Sequence, residues 1–116
     1  MQIMALIYAD KEREPQYGTE AFNIMMKGYF DFTAYLKEQG AFVAGDGLQG
    51  TETATSVRVK GGKVETMDGP FAETKEHLGG YYLFEVPDLD TAIRYAAMIP
   101  TAGWGTVELR PVMIYG

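Results

Sequence analysis

The chain has 116 residues, a net charge of −6 and no cysteine. This length predicts a single domain over residues 1–116. An acidic chain without a run of Lys or Arg lacks the basic surface that nucleic acids and anionic membranes bind, so we expect neither as a partner. The missing cysteines exclude disulfides, thiol nucleophiles and Cys-based metal sites. The chain also carries no leader pattern and no apolar run of about 20 residues, which predicts a cytoplasmic location.

The N-terminal part of the chain predicts a strand and a long helix. In residues 1–8 both alternating sets of side chains are apolar, which is typical of a strand covered on both faces. Apolar residues recur every three or four positions over residues 19–39 and predict a helix, with Thr19 as its N-cap and Gly40 as its C-cap. Gly28 interrupts this helix at a cost of about 1 kcal/mol relative to Ala, and a close backbone contact would explain it.

A hairpin is predicted in the middle of the chain. Residues 53–60 and 63–67 flank Gly61-Gly62, a pair that suits the positive φ angles of a two-residue turn. That turn would place Val59 opposite Val64, which makes an apolar cross-strand pair.

The remaining elements predict the fold class. Residues 41–47, 78–86 and 106–113 read as strands, and a second helix runs from its N-cap Asp88 to Pro100. The order is therefore β-α-β, a hairpin insertion, and β-α-β again. This order predicts an α+β fold, a ferredoxin-like sandwich in which two helices cover one face of an antiparallel sheet.

The other face of the predicted sheet is also apolar. Met4 and Leu6 alternate onto it from the first strand, and Tyr81 and Leu83 alternate onto it from the strand over residues 78–86. An open apolar face of this size is unusual on a soluble monomer. We therefore predict a homodimer that packs sheet against sheet.

The segment from Asp68 to Glu76 is the densest in distinctive residues. Asp68 to Phe71 reads Asp-Gly-Pro-Phe, a rigid turn that presents Phe71 as a plug for the core or for a neighbouring subunit. A buried Phe71 would make Phe71→Ala cost about 3–5 kcal/mol. Glu73 and Lys75 follow in a mixed-charge cluster, which either faces a cleft or is a solvated surface.

Three further side chains are candidates for chemistry. His77 is the sole histidine and has no visible partner, so a role as general base is the weaker alternative to a structural one. Trp104 lies between two glycines and either caps a pocket or plugs the core or an interface. Arg110 should share the open sheet face with Glu108, and it needs a carboxylate such as Glu85 or an anionic ligand.

No motif for a cofactor or a resident metal is present. Nucleophile-elbow, phosphate-loop and dinucleotide patterns are all missing, and a lone histidine cannot hold a metal by itself. We therefore predict neither a cofactor nor a metal site.

An ordered series of segments resembles the YCII-related family, and the Asp-Gly-Pro-Phe turn resembles its DGPF group. The resemblance covers nearly the whole chain. The segments that carry it are residues 4–8, 44–48, 57–59, 68–76, 79–82 and 107–111.

The resemblance implies a ferredoxin-like fold that pairs into a dimeric α+β barrel. It also implies a cleft with a His–Asp pair in some members, and a dehydrochlorinase activity on chlorinated hydroquinones in one branch. The histidine of that pair would fall near Gly28 or Tyr29, where this chain has none, while Asp46 matches the acidic position. DGPF proteins resembling this one are also often encoded beside sigma factors, which implies a sigma-factor association.

Three functional hypotheses follow. The first is a dimer that binds a small-molecule ligand in a cleft on the sheet face. The second is a lyase-like enzyme without a cofactor, and the third is an interaction module for a sigma factor. Candidate catalytic residues are Tyr29, Asp46 and Arg110, and candidate ligand-binding residues are Asp68, Phe71, Glu73, Lys75 and Tyr81.

Overall fold

The computed structural model describes residues 1–115. Every predicted strand and helix is present, with each boundary within two residues of its predicted position. The elements are β1 (Gln2–Ala9), α1 (Glu20–Glu38), β2 (Phe42–Gly47), β3 (Thr55–Lys60), β4 (Lys63–Asp68), β5 (His77–Glu85), α2 (Leu89–Met98) and β6 (Thr106–Pro111). Among these residues, neither helix is long and apolar enough to cross a membrane.

The main sheet has four strands in the order β2-β5-β1-β6, and every neighbouring pair is antiparallel. β1 lies between β5 and β6, so each β-α-β unit is split by a strand of the other. This arrangement confirms the predicted α+β ferredoxin-like fold.

One core lies between the helices and one face of the sheet. β1 contributes alternate residues to it, and Phe32 and Leu36 of α1 meet them from the helix layer. Ala92 of α2 is fully buried in the same core, so both helices cover the same face. The buried apolar residues are Ile3, Ala5, Ile7, Phe32, Leu36, Ala41, Tyr82, Phe84, Val86, Ala92, Ala96 and Ile99.

Both predicted N-caps are confirmed. The Thr19 hydroxyl accepts a hydrogen bond from the Phe22 N–H at 3.2 Å, and the Asp88 carboxylate accepts one from the Thr91 N–H at 2.8 Å. These bonds satisfy donors that a helix start otherwise leaves free.

The glycine at position 28 is explained by a close contact with a side chain, and not by the close backbone contact that we expected. A Cβ atom at Gly28 would lie 2.9 Å from Cγ of Pro100, which belongs to a 3₁₀ turn over Pro100–Gly103. The missing side chain therefore lets α1 lie directly against this turn.

The β3–β4 hairpin forms a separate two-stranded sheet, here called the arm (residues 55–68). Gly61 and Gly62 have φ angles of 57° and 77°, and Val59 pairs with Val64 as predicted. Apart from the partly buried Ser56, every arm residue is exposed. Phe71, just beyond the arm, is 74% exposed, so the prediction that it plugs the core of its own chain is wrong.

The open face of the sheet carries apolar and charged residues together. Met4 pairs with Leu83 and with Arg110, and all three side chains share this face. Arg110 meets Glu108 at 3.4 Å, whereas Glu85 lies 3.2 Å from the N-terminal amine. The predicted face is confirmed, but the carboxylate that pairs with Arg110 is its neighbour on β6 and not Glu85.

We predict that Gly28→Ala destabilises the protein by about 1 kcal/mol. Overpacking costs about 1–3 kcal/mol, and the helix propensity of Ala returns only about 1 kcal/mol. Urea unfolding would measure the change. Ala34→Gly at an exposed position of α1 is the control, because it reports the glycine cost alone. A more stable Gly28→Ala protein would contradict the proposed contact with Pro100.

Candidate functional site

A cavity of about 470 Å³ lies between α1 and the helix-covered face of the sheet. Met25, Met26 and Tyr29 line it from α1, and Ile7 and Tyr82 line it from the sheet. The loop after β2 and the 3₁₀ turn that follows α2 close its sides. The remaining lining residues include Ala9, Phe22, Phe30, Thr33, Phe42, Leu48, His77, Thr101 and Trp104.

Small residues in the strands leave this space open. Gly45 of β2, together with Gly79 and Gly80 of β5, borders the cavity. A Cβ atom at Gly45 would lie 2.7 Å from the ring of Tyr82. The Tyr82 ring therefore lies directly on the β2 backbone, and it forms part of the cavity wall.

Stacked aromatic rings hold one wall in place. The rings of Tyr29 and Tyr82 are nearly parallel, with their centroids 6.5 Å apart and an interplanar angle of 12°. Phe32 and Phe42 meet Tyr82 edge-on at 5.1 and 6.4 Å. Offset and edge-on contacts of this kind stabilise a fixed ring orientation.

Two pairs of hydroxyl groups lie in the cavity wall. The Tyr29 hydroxyl is 2.5 Å from Oγ1 of Thr101, and Oγ1 of Thr33 is 2.9 Å from the Tyr82 hydroxyl. In each pair either oxygen can donate the hydrogen bond. These bonds tie α1 to the 3₁₀ turn and to β5, and they place polar groups among apolar side chains.

Burial raises the pKa of the Tyr29 and Tyr82 hydroxyls above the ordinary value near 10. The hydrogen bonds from Thr101 and Thr33 oppose this shift without cancelling it. Both phenols are therefore neutral at neutral pH. They can donate or accept a hydrogen bond, but neither is a phenolate base.

His77 lies between the cavity and a second concavity beside it. Its Nδ1 is 3.4 Å from Oγ1 of Thr74. Phe71 and Tyr8 line the second concavity, so the loop after the arm borders this space and not the main cavity. His77, the single histidine of the sequence, therefore borders both spaces.

The predicted catalytic residues occupy different places. Tyr29 lines the cavity wall. Asp46 accepts a hydrogen bond from the Tyr81 hydroxyl at 2.8 Å, and the strand register puts this pair on the open face beside Leu6. Arg110 lies on the same open face but on β6, at the other edge of the sheet.

The predicted ligand-binding residues are also dispersed. Phe71 lines the second concavity, and Tyr81 borders the main cavity through its place on β5. Asp68, Glu73 and Lys75 line neither space. Tyr29, Tyr81 and Asp46 are therefore the predicted residues that border the main cavity, although the side chains of Tyr81 and Asp46 lie on the opposite, open face of the sheet.

Sequence reasoning missed Thr33 and Thr101. Thr33 follows Tyr29 by one helical turn and is a polar residue beside the apolar stripe of the helix. This position could have indicated a polar group in the site. Thr101 carried no such signal, because its contact with Tyr29 spans 72 positions of the chain.

The described residues offer no cation site. Over residues 1–115 no three His, Asp or Glu side chains lie close enough together to hold a metal ion. In the same range, every buried side-chain nitrogen or oxygen has a hydrogen-bond partner.

The fold and the site define a small α+β protein with an apolar cavity beneath its long helix. The model of the YCII-related domain matches residues 1–115, so the chain belongs to the YCII-related family. It is 42% identical over 67 residues to an uncharacterized protein, R00369, of Rhizobium meliloti (strain 1021). That match covers 56% of this chain and 54% of the relative, so the chain spans about half the length of the relative it matches.

We predict that Thr101→Val lowers the free energy of unfolding by about 1–3 kcal/mol, since it leaves the half-buried Tyr29 hydroxyl without its partner. Thr101→Ser keeps the hydroxyl and should lose less than half as much. Denaturant unfolding of the two variants measures the difference. A larger loss in Thr101→Ser than in Thr101→Val would mean that the threonine methyl group, and not the hydrogen bond, stabilises this contact.

Proposed function

We propose that this protein binds a small organic molecule in the cavity between α1 and the sheet. The observation that carries the proposal is the cavity itself, about 470 Å³ in volume, apolar on most sides and provided with converging hydroxyl groups. Sites for small molecules in proteins have this size and this mixture of walls. We also propose that the protein belongs to the DGPF group, forms a homodimer and is located in the cytoplasm.

The lining favours a mainly apolar ligand with at least one hydrogen-bonding group. Met25 and Met26 are flexible and polarisable, so they adapt to the outline of a ligand. Lys11 borders the cavity, but its ammonium group pairs with Glu52 at 3.1 Å. An anionic ligand would thus find little free charge of opposite sign. The loop residues Asp68, Phe71, Glu73 and Lys75 stay proposed as ligand contacts, although none of them lines this cavity.

A ligand should be detectable by thermal stability and by fluorescence. The chain has one tryptophan, and Trp104 lines the cavity, so an occupant should change its emission. A ligand at 100 times its dissociation constant stabilises the folded state by about 2.7 kcal/mol. We would screen phenols, aromatic acids and neutral ring compounds, and we expect compounds that raise the melting temperature also to change the fluorescence.

We predict that Ala9→Phe abolishes the stabilisation by every compound found in that screen. Ala9 lines the cavity on the helix-covered face, so a phenylalanine there would occupy the space of the ligand. Ala97→Phe at an exposed position of α2 is the matched control and should keep the response. Full retention of binding by Ala9→Phe would move the site elsewhere, and a screen without any hit would contradict the proposal.

A second candidate function is a small enzyme that needs no cofactor. The Asp46–Tyr81 pair favours it, because the Tyr81 hydroxyl donates a 2.8 Å hydrogen bond to the Asp46 carboxylate, and this bond raises the pKa of Tyr81. Asp46 also occupies the acidic position that the family resemblance implies. If Asp46→Asn abolishes turnover while ligand binding is kept, the protein is an enzyme and not only a ligand-binding protein. An interaction with a sigma factor would instead appear in a partner pull-down.

We further predict that the protein is a homodimer through its open sheet face. Leu6 and Leu83 are only half-buried there, although they lie in the middle of the sheet. Leu6→Lys should give monomers in sedimentation equilibrium, because it would bury an unpaired charge in the interface. Ile93→Lys, on exposed α2, is the control and should stay dimeric. A folded monomer of the unchanged protein at micromolar concentration would contradict the prediction.

A further inference from the structure

The arm extends away from the body of the protein. The structure measures 48 × 47 × 19 Å with a radius of gyration of 16.2 Å, whereas a compact chain of this length has about 13.4 Å. At the base of the arm, the Ser56 hydroxyl donates to the Gly69 carbonyl at 2.9 Å and the Gly69 N–H donates to the Ala54 carbonyl at 2.7 Å, so these bonds join the two ends of the hairpin to each other. An isolated two-stranded hairpin is marginally stable in water.

One side of the arm is apolar and exposed. Val57, Val59 and Val64 share a face through their register, and their exposed fractions are 59, 69 and 70%. Valine favours strands when its branched side chain packs on a neighbouring surface. Three valines that stay this exposed within residues 1–115 therefore indicate a surface that a partner covers.

The tip of the arm has the opposite charge to the rest of the chain. Arg58, Lys60 and Lys63 lie within residues 58–63, which contain no acidic residue, although Glu65 on β4 is the cross-strand partner of Arg58. Since the whole chain carries −6, the chain without these three charges carries −9. None of the three forms an ion pair within residues 1–115. A second copy of this chain thus presents the acidic surface that a basic tip would bind.

We propose that the arm of one copy binds the acidic body of a second copy, with the three valines against that copy and the basic tip among its carboxylates. This inference rests on the proposed homodimer and adds a second contact to the one between sheet faces. The second copy would cover the three valines, which the fold of a single chain leaves exposed. Nucleic acid is disfavoured as the occupant because three basic charges on a chain of net −6 cannot overcome the repulsion from its body.

Charge reversal tests the tip. Lys60→Glu/Lys63→Glu and the control Lys27→Glu/Lys37→Glu both bring the net charge from −6 to −10, but the control residues lie on α1. We expect the arm variant to raise the dimer dissociation constant at least tenfold at low salt, and to flatten its dependence on salt, relative to the control. Equal dissociation constants for the two variants would overturn the proposal.

Cross-linking locates the arm directly. The chain has no cysteine, so Lys63→Cys introduces a single thiol that can carry a benzophenone group. On irradiation of a mixture of light and isotopically heavy chains, we expect light–heavy dimers whose cross-links fall on the body of the other copy. Glu38→Cys, exposed at the end of α1, is the control and should give few. The two variants are checked for folding by their melting temperatures.

The outcomes separate this inference from the proposed homodimer. If the unchanged protein is dimeric and Leu6→Lys dissociates it, while the arm variant and Lys63→Cys behave like their controls, the arm proposal is wrong and the sheet-face dimer stands. If the unchanged protein is monomeric throughout, both are wrong. Cross-links confined to one chain would also overturn the arm proposal.

Discussion

The ring of Tyr82 is the constraint on which the rest of the site depends. It lies on the glycine backbone of β2, stacks on Tyr29 and Phe84, and donates or accepts a hydrogen bond with Thr33 of α1. On one side of it, Phe84 and Leu36 are fully buried in the core. On the other, α1 is held away from strands that carry glycine, and the cavity remains. A single buried aromatic residue with a polar end thus divides a packed core from a binding space.

Local patterns accounted for most of the fold. Both N-caps and the arm register follow from side chains that interact with near neighbours in the chain, and such interactions can be read from spacing. The contact between Gly28 and Pro100 could be anticipated only as a need for space, because its partner lies 72 positions away along the chain. Phe71 was misjudged because turn chemistry fixes a bend without fixing what the bend packs against.

The candidate site was less predictable than the fold. The sequence showed Tyr29 on the inner stripe of α1, and that position is confirmed. It could not show that Asp46 and Arg110 lie at opposite edges of the sheet, since their separation depends on strand order. Family membership adds a fold and a class of relatives, and the relative with 42% identity is itself uncharacterized. The chemistry of the cavity therefore carries the functional argument.

Tyr82 and the half-buried Tyr29 also make the stability of the fold depend on alkaline pH. Their hydroxyl pKa values are raised by burial, so an unfolded chain loses these protons at a lower pH than the folded one. The stability that they contribute is complete below pH about 10 and is lost as the pH rises through their folded values. Ionisation would place negative charge between α1 and β5 and separate them. The groups that give the cavity its polarity are thus also groups whose titration would lower the stability of the fold.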